Sequence, residues 1–266
     1  MVSLAPQTQP AADAVSGQDA IVVSQVSKHF RLVHHGDSIK QRMLGILRPP
    51  HIEEFTALRD ISFRVPHGQT LAVIGRNGSG KSTLLSILAR VYRPNTGTVQ
   101  LFSREGGRAR VAPLLELGTG FHPELDGLEN VVFYGALLGY TAKEITARME
   151  DIIAFSELGG KVDTPLRGWN EGAKLRLGFA VAVHTEPDIM LVDEVLAVGD
   201  EAFRKKCEAR IRQMQQSGVT IVFVSHDLHT VENIADRVLW LNQGVIQMDA
   251  DPAAVLPAYR AAFQPA

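Results

Sequence analysis

Short apolar runs alternate along the chain with longer segments in which apolar residues recur every three or four positions. The short runs predict buried strands, and the periodic segments predict helices. The strands are expected at 21–26, 57–65, 71–74, 98–102, 111–117, 189–192, 220–224, 238–241 and 245–248. The first helix is expected to begin at Leu84. The other helices are expected at about 127–139, 142–158, 173–183, 201–216, 228–236 and 252–263. Strands that alternate with helices favour an α/β fold with a mostly parallel sheet between helical layers.

Two segments depart from this pattern. Residues 1–18 are rich in Ala, Pro, Gln and Ser and have no periodicity, so we expect a disordered tail. Residues 31–54 form an insertion with a short helix at 38–48, which is apolar on one side and basic on the other. That helix either packs on its own domain or serves as a docking or gating element at the inner membrane surface.

The composition limits the functions that the chain can have. It has 266 residues, 45% of them hydrophobic, which is enough for a substantial core. A net charge of −2 argues against a protein held on nucleic acid by bulk charge. No apolar run approaches the roughly 18 residues of a membrane span and we find no signal peptide, so we expect a cytoplasmic chain. The single cysteine, Cys207, excludes an internal disulfide and is expected in the core.

The strongest chemical signal is the glycine-rich stretch after the strand at 71–74. Residues 75–83 match the phosphate-binding pattern G-x-x-x-x-G-K-[ST] between a predicted strand and a predicted helix. Glycines allow backbone N–H groups to surround phosphate oxygens, and the helix N-terminus adds partial positive charge. We expect Lys81 to reach the β and γ phosphates as a catalytic cation, and the Ser82 hydroxyl to ligate Mg²⁺. The expected nucleotide contacts are Gly75, Asn77, Gly78, Ser79, Gly80, Lys81, Ser82 and Thr83.

Further candidate residues stand at the ends of other strands. Asp193 follows the strand at 189–192, where a carboxylate can hold Mg²⁺ through water. The adjacent Glu194 can polarise the water that attacks the γ-phosphate, and His226 can contact that phosphate. Phe30 is a candidate to stack on the nucleotide base, and an ordinary core phenylalanine at a sheet edge is the alternative. Together with the glycine-rich loop, these residues predict hydrolysis of ATP with Mg²⁺.

The helix that begins near residue 173 points to a dimer. Its first residues, Trp169-Asn170-Glu171-Gly172-Ala173, suit phosphate binding, but the sheet places them far from the chain's own phosphate loop. They can serve the site of a second copy. We therefore expect a head-to-tail homodimer that encloses two ATP molecules, with Asn170 and Gly172 on the partner's nucleotide.

Residues 20–250 resemble the nucleotide-binding subunit of an ABC transporter. The matching motifs are the phosphate loop at 75–83, the strand end at 189–194, a D-loop at 197–200 and the switch histidine His226. The resemblance implies an ATPase domain at 19–250, with an antiparallel β subdomain, a helical subdomain at about 120–185 and a C-terminal helix at 251–266. It also implies nucleotide contact by Asp200. The family usually has a glutamine that reaches the metal, and this chain lacks that glutamine. Glu116 is the best substitute for it.

Within that family, the chain most resembles the ATPase subunit of bacterial polysaccharide exporters. The segments that carry this resemblance are 114–125 and 193–203, and the insertion at 31–54 resembles the exporters' gate helix near the membrane. The resemblance implies a subunit on the cytoplasmic face of the inner membrane, held there through a permease. That complex would export undecaprenyl-linked O-antigen, teichoic acid or capsule glycans. The segment at 111–125 is then expected to face the permease.

The stretch at 169–173 stands where the family has its signature loop, and it departs from the family's pattern. This departure leaves other functions open. Asn170 stands where these proteins commonly have serine, and Glu171 replaces a small residue, which can slow hydrolysis. One alternative is an importer or another exporter of the same class. A second is a soluble ABC protein of translation or DNA repair, but neither a second phosphate loop nor a long coiled-coil insertion occurs here. A third is a nucleotide-gated scaffold with negligible turnover.

Overall fold

The computed structural model describes residues 18–34, 51–115, 120–193 and 200–263, and in these ranges the chain forms two sheets flanked by helices. The strands are β1 (Asp19–His34), β2 (His51–Pro66), β3 (Thr70–Ile74), β4 (Thr96–Leu101), β5 (Val111–Leu114), β6 (Ile189–Val192), β7 (Thr220–Val224), β8 (Arg237–Asn242) and β9 (Val245–Ala250). The helices of these ranges are α1 (Lys81–Leu88), α2 (Gly127–Leu137), α3 (Ala142–Thr146), α4 (Met149–Ser156), α5 (Glu171–His184), α6 (Glu201–Gln216), α7 (Leu228–Ile234) and α8 (Pro252–Phe263).

The larger sheet has six strands in the order β5-β6-β7-β3-β8-β9, and β9 is the strand that runs antiparallel to its neighbour. Strands β3, β6 and β7 are buried along their whole length. Alternate residues of β3 enter two cores: Leu71 and Val73 join the core shared with the smaller sheet and α1, whereas Ala72 and Ile74 join the core of α6 and α8. The two-residue period of a strand explains this division. The predicted α/β fold with a mostly parallel sheet is confirmed.

The smaller sheet is antiparallel, in the order β2-β1-β4. The ladder between β1 and β2 extends from the pair Asp19–Pro66 to the pair His34–His51. Residues 31–34 and 51–54, at the two ends of the expected insertion, are therefore paired strand. Backbone pairing that continues beyond the core lengthens this hairpin. The helix expected at 38–48 lies outside the described residues, as do residues 1–17 of the expected tail.

Helices α2 to α5 surround a third core that includes Ile145, Ile152 and Leu177. The single helix expected at 142–158 is two helices, α3 and α4, although the predicted capping box between Thr141 and Glu144 is present. Arg148 lies between the two helices as the N-cap of α4. Its backbone N–H donates to the carbonyl of Ile145 at 2.9 Å, and its guanidinium donates to the carbonyl of Glu144 at 3.1 Å. Apolar periodicity alone does not reveal such an interruption.

Several other predictions agree with the structure. The predicted bounds of α6, β7 and α8 are those observed. Cys207 has no exposed surface, which confirms it as a core residue. None of the helices in the described ranges combines the length and the apolar character that a membrane-spanning helix needs.

Candidate functional site

The phosphate-binding loop connects β3 to α1, as the sequence predicts. Gly80 is the N-cap of α1 and has a left-handed backbone, with φ 105°. Its carbonyl accepts the first helical hydrogen bond, from the N–H of Leu84 at 2.9 Å. The N–H groups in the first turn of an α-helix have no acceptor within the helix, and the partial positive charge at this end of α1 favours an anion.

Two glycines of the loop are required by close contacts as well as by backbone angles. A Cβ atom on Gly75 would lie 2.3 Å from the carbonyl oxygen of Leu241. A Cβ atom on Gly80 would lie 2.6 Å from the carbonyl oxygen of Ala57. The loop is therefore enclosed between β2 and the end of β8, and its conformation is set by the surrounding backbone.

The turn between β8 and β9 also holds the loop. The N–H of Gly244 donates to the carbonyl of Ser79 at 3.0 Å, and the N–H of Arg59 donates to the carbonyl of Gly244 at 2.8 Å. Gly244 thus links the phosphate loop to β2.

Lys81 lies across the loop with only 7% of its surface exposed. Its ammonium group donates to the carbonyl of Gly75 at 2.8 Å and to the carbonyl of Arg76 at 3.2 Å. A buried ammonium needs such partners, because its transfer from water is costly without them. The arrangement holds a positive charge at the place where the nucleotide phosphates are expected.

A cavity of ≈ 500 Å³ opens beside the loop. Its lining residues are Phe55, Ala57, Asn77, Gly78, Gly80, Lys81, Ser82, Thr83 and Asp193. The structure thus brings most of the loop residues and the predicted metal ligands Ser82 and Asp193 to one cavity. Gly75 and Ser79 lie behind it, in the buried part of the loop.

Phe55 and Ala57 of β2 also line this cavity, and the sequence did not predict them as site residues. Residues 55 and 57 are two positions apart on one strand, so they share a face. The large aromatic Phe55 between the charged residues Glu54 and Arg59 was the available signal. Motif spacing could not use it, because β2 and the phosphate loop meet only in the folded chain.

The predicted residues at the other strand ends lie at the same edge of the sheet. His226 follows β7, which is next to the strand that leads into the loop, and Asp193 follows β6, which is the next strand beyond β7. Asp193 is half-buried, and His226 is exposed and does not line the cavity in the described part of the site. Glu194 and Glu116, the predicted water-polarising residue and metal ligand, lie outside the described residues.

Asn170 and Gly172 lie at the start of α5, on the helical layer. The Asn170 side chain caps α5 by accepting a 2.9 Å hydrogen bond from the N–H of Ala173. Its amide group remains a possible donor. Glu171 is exposed and pairs with Lys174 at 2.9 Å. Neither Asn170 nor Gly172 lines the cavity described above.

Asp200 caps α6 and joins it to the helical layer. It accepts from the N–H of Phe203 at 2.9 Å and from the guanidinium of Arg176, on α5, at 2.8 Å. The backbone N–H of Phe203 and the charge of Arg176 both lower the pKa of the Asp200 carboxyl. Arg176 also pairs with Glu157 at 3.1 Å. The predicted nucleotide contact therefore has a second role between α5 and α6.

Phe30 lies on β1, close to the cavity but not among its lining residues. Its ring contacts the edge of Tyr92, with the two centroids 5.5 Å apart and the planes at 77°. The Lys28 ammonium lies 5.1 Å from the Phe30 centroid. The ring is half-buried by these contacts.

Comparisons with known proteins agree with this site. Residues 58–197 match the family model described as ABC transporter. The chain is 45% identical over 244 residues to the O-antigen export system ATP-binding protein RfbB of Klebsiella pneumoniae, covering 90% of this chain and 97% of that protein. It is 42% identical to the protein of the same name in Myxococcus xanthus, covering 92% of this chain but spanning only 56% of that relative.

A solved structure shares the fold. It is the ATP-binding cassette MJ0796, a dimer in a post-hydrolysis state with ADP and phosphate bound. The TM-score is 0.66 at 20% identity, and the match covers 87% of this chain and 98% of that one.

Proposed function

The chain belongs to the ABC transporter family, and on that basis we propose that it is the ATP-hydrolysing subunit of a bacterial exporter of lipid-linked polysaccharide. The observation that carries the proposal is the cavity that the phosphate loop shares with Asp193. The substrate class rests on the similarity to the ATP-binding proteins of O-antigen export systems.

Magnesium fits the polar groups of this cavity. Ser82 supplies a hydroxyl and Asp193 a carboxylate to the same cavity. Mg²⁺ usually takes one or two protein oxygens and completes its octahedron with phosphate oxygens and water. The ion would neutralise charge on the phosphates as the γ-phosphate leaves.

The remaining roles are those that the sequence predicts. Lys81 binds the β and γ phosphates, Glu194 polarises the attacking water, and His226 contacts the γ-phosphate. Asn170 and Gly172 belong to a different layer from the cavity, which supports a head-to-tail homodimer in which they reach the partner's nucleotide. Capping of α5 occupies the Asn170 oxygen, so its NH₂ group is the donor toward phosphate.

The same proposal places the subunit on the cytoplasmic face of the inner membrane, where a permease holds it. Helix α2 exposes two large apolar side chains one turn apart, Phe133 (41% exposed) and Leu137 (60% exposed). A Cβ atom on Gly120 would lie 3.2 Å from Cδ1 of Leu137, so Leu137 borders the segment at 111–125 that is expected to face the permease. An exposed apolar patch of this kind suits a membrane partner's loop.

The test is made in the native host, where the chain is replaced by the Glu194→Gln form. Surface glycan and lipid-linked glycan retained inside the cell are then measured. We expect surface glycan to be lost and the lipid-linked form to accumulate, because the variant binds ATP but cannot complete the cycle. Glu150→Gln, the same change at an exposed position of α4, is the control. An unchanged glycan profile in a strain with no second copy, with the variant stably produced, removes the polysaccharide assignment.

A further inference from the structure

The C-terminal helix α8 ends beside the phosphate loop. Its residues Val255 and Leu256 are buried in the core that α8 shares with α6, whereas Phe263, its last residue, is 38% exposed. The Cζ atom of the Arg76 guanidinium lies 5.4 Å from the centroid of the Phe263 ring. Arg76 is the second residue of the phosphate loop. A side-chain contact thus joins the end of α8 to the loop.

The Phe263 ring belongs to a cluster of three aromatic residues. Its centroid is 5.0 Å from that of Tyr259 and 6.1 Å from that of Trp240, and the centroids of Tyr259 and Trp240 are 5.4 Å apart. Trp240 lies on β8 and is paired with Ile74, the residue of β3 that leads into the loop. Edge-to-face packing fixes the position and the angle of each ring. The cluster therefore holds the Phe263 ring beside the start of the loop.

Arg76 connects this cluster to the lysine of the loop. Among the described residues, no carboxylate forms an ion pair with the Arg76 guanidinium, so its ring contact is the restraint that the structure shows. Burial raises the pKa of the Tyr259 hydroxyl, and the charge of Arg76 offsets part of this rise. The backbone carbonyl of Arg76 accepts a 3.2 Å hydrogen bond from the Lys81 ammonium. A restraint on the Arg76 side chain therefore acts on a residue that also positions Lys81.

We propose that Phe263 is a positioning residue, whose ring holds Arg76 and so keeps the start of the phosphate loop in the conformation that binds nucleotide. This inference rests on the proposed function, since the ligand of the loop is the nucleotide phosphate. Cation–π contacts of exposed side chains are modest, so we expect loss of this one to weaken phosphate binding about two- to fivefold. Linkage makes the coupling reciprocal, so bound nucleotide should stabilise the end of α8 by the same factor.

The first test measures the Kd of ADP and of pyrophosphate, both with Mg²⁺, by isothermal titration calorimetry. For Phe263→Ala we expect both Kd values to rise about two- to fivefold, because the loop binds the phosphates of both ligands. Phe263→Leu keeps apolar bulk without a ring and should resemble Phe263→Ala, whereas Phe263→Trp should restore binding. In an Arg76→Ala background, Phe263→Ala should have no further effect, because the contact is already lost.

The second test is amide hydrogen exchange of residues 259–263 with and without ADP and Mg²⁺. We expect ADP to slow this exchange in the unmodified chain but not in Arg76→Ala. Arg260→Ala is the control in both tests, since its side chain is 50% exposed on the same helix and lies 3.7 Å from Glu232.

Three results would each overturn the inference. They are Kd values of Phe263→Ala that equal those of the unmodified chain, a rise in Kd that persists in the Arg76→Ala background, and an exchange rate at 259–263 that ADP does not change. An unmodified chain that binds neither ADP nor pyrophosphate removes the proposed function, and the inference with it.

Discussion

The ammonium group of Lys81 donates a 2.8 Å hydrogen bond to the carbonyl oxygen of Gly75, at the other end of the same loop. This bond joins the two ends of the loop. When phosphate enters, the ammonium can exchange backbone oxygens for charged phosphate oxygens with little movement. Such preorganisation makes electrostatic stabilisation effective, because the charge is already in position.

Replacement of Lys81 should remove hydrolysis. In Lys81→Ala the charge that faces the β and γ phosphates is lost, so we expect phosphate release to fall roughly 10²-fold or more. The measurement is phosphate release under saturating ATP and Mg²⁺. Lys205→Ala, at a side chain that is 72% exposed on α6, is the control. Turnover of Lys81→Ala within about twofold of the unmodified chain would contradict the role of Lys81.

The enclosure of the loop predicts a stability difference between two glycines. Gly80 (φ 105°) and Gly106 (φ 87°) both have left-handed backbones, but a Cβ on Gly106 would have nothing within 4 Å. Alanine at Gly106 should cost about 1–2 kcal/mol from the backbone alone. Alanine at Gly80 should cost roughly 1–3 kcal/mol more, since its Cβ would contact the carbonyl of Ala57.

Urea unfolding of Gly80→Ala and Gly106→Ala measures this difference directly. Gly106 lies in a surface turn, so its variant gives the backbone contribution without contacts. Equal unfolding free energies for both variants would show that β2 does not enclose the phosphate loop.

Asn130 should be essential to the segment before α2. It is fully buried, and its NH₂ group donates to the carbonyls of His122, Leu125 and Asp126 at 2.8–3.0 Å. Its oxygen accepts from the N–H of His122 at 2.7 Å. In Asn130→Ala the His122 N–H loses its acceptor, whereas the three carbonyls keep backbone donors from the N–H groups of Leu125, Leu166 and residue 130. We expect the loss of the side-chain hydrogen bonds to lower the free energy of unfolding by about 1–3 kcal/mol.

The control for Asn130 is Asn233→Ala, at an exposed asparagine on α7 whose hydrogen bonds are local. Asn130→Asp should be at least as damaging as Asn130→Ala, because a carboxylate would face three carbonyl oxygens. If Asn130→Ala unfolds with the same urea midpoint as Asn233→Ala, the hydrogen-bond network has no structural role.

His184 should make stability depend on pH. The half-buried ring packs on Phe155 with the two centroids 5.0 Å apart, and its Nδ1 donates to the carbonyl of Ala180 at 2.8 Å. Burial lowers the pKa of His184 below 6.5, and the charge of Arg210 adds to this effect. A lowered pKa means that the folded chain binds the proton less well than the unfolded chain. The stability that the neutral His184 ring contributes to the folded chain is therefore present above pH 6.5 and is lost as the pH falls through the pKa of the folded chain.

The comparison is between the unmodified chain and His184→Gln, with urea midpoints measured at pH 8 and pH 5.5. The urea midpoint of the unmodified chain should exceed that of His184→Gln by more at pH 8 than at pH 5.5. A difference in urea midpoint that is constant, or that grows toward pH 5.5, would show that protonation of His184 does not destabilise the folded chain.

The sequence predicted those features that depend on local pattern. Strand β7, helix α6 and the phosphate loop follow from apolar periodicity and from one motif, because each is specified by neighbouring residues. The break at Arg148 was not predicted, because the apolar residues keep their helical spacing across it. The bonds of Arg148 to Glu144 and to the distant Glu186 are contacts that apolar periodicity does not reveal. The sequence also missed Phe55, because only strand register places it beside the loop.

The turn at Gly244 has a consequence for how the chain is made. During synthesis the phosphate loop emerges from the ribosome well before β8 and β9. The turn between these two strands donates the hydrogen bond to the carbonyl of Ser79. A nascent chain at that stage carries the complete motif but lacks the backbone that shapes it. Nucleotide affinity should therefore appear late in synthesis, after the β8–β9 hairpin has emerged and docked, so unfinished chains would leave cellular ATP unbound.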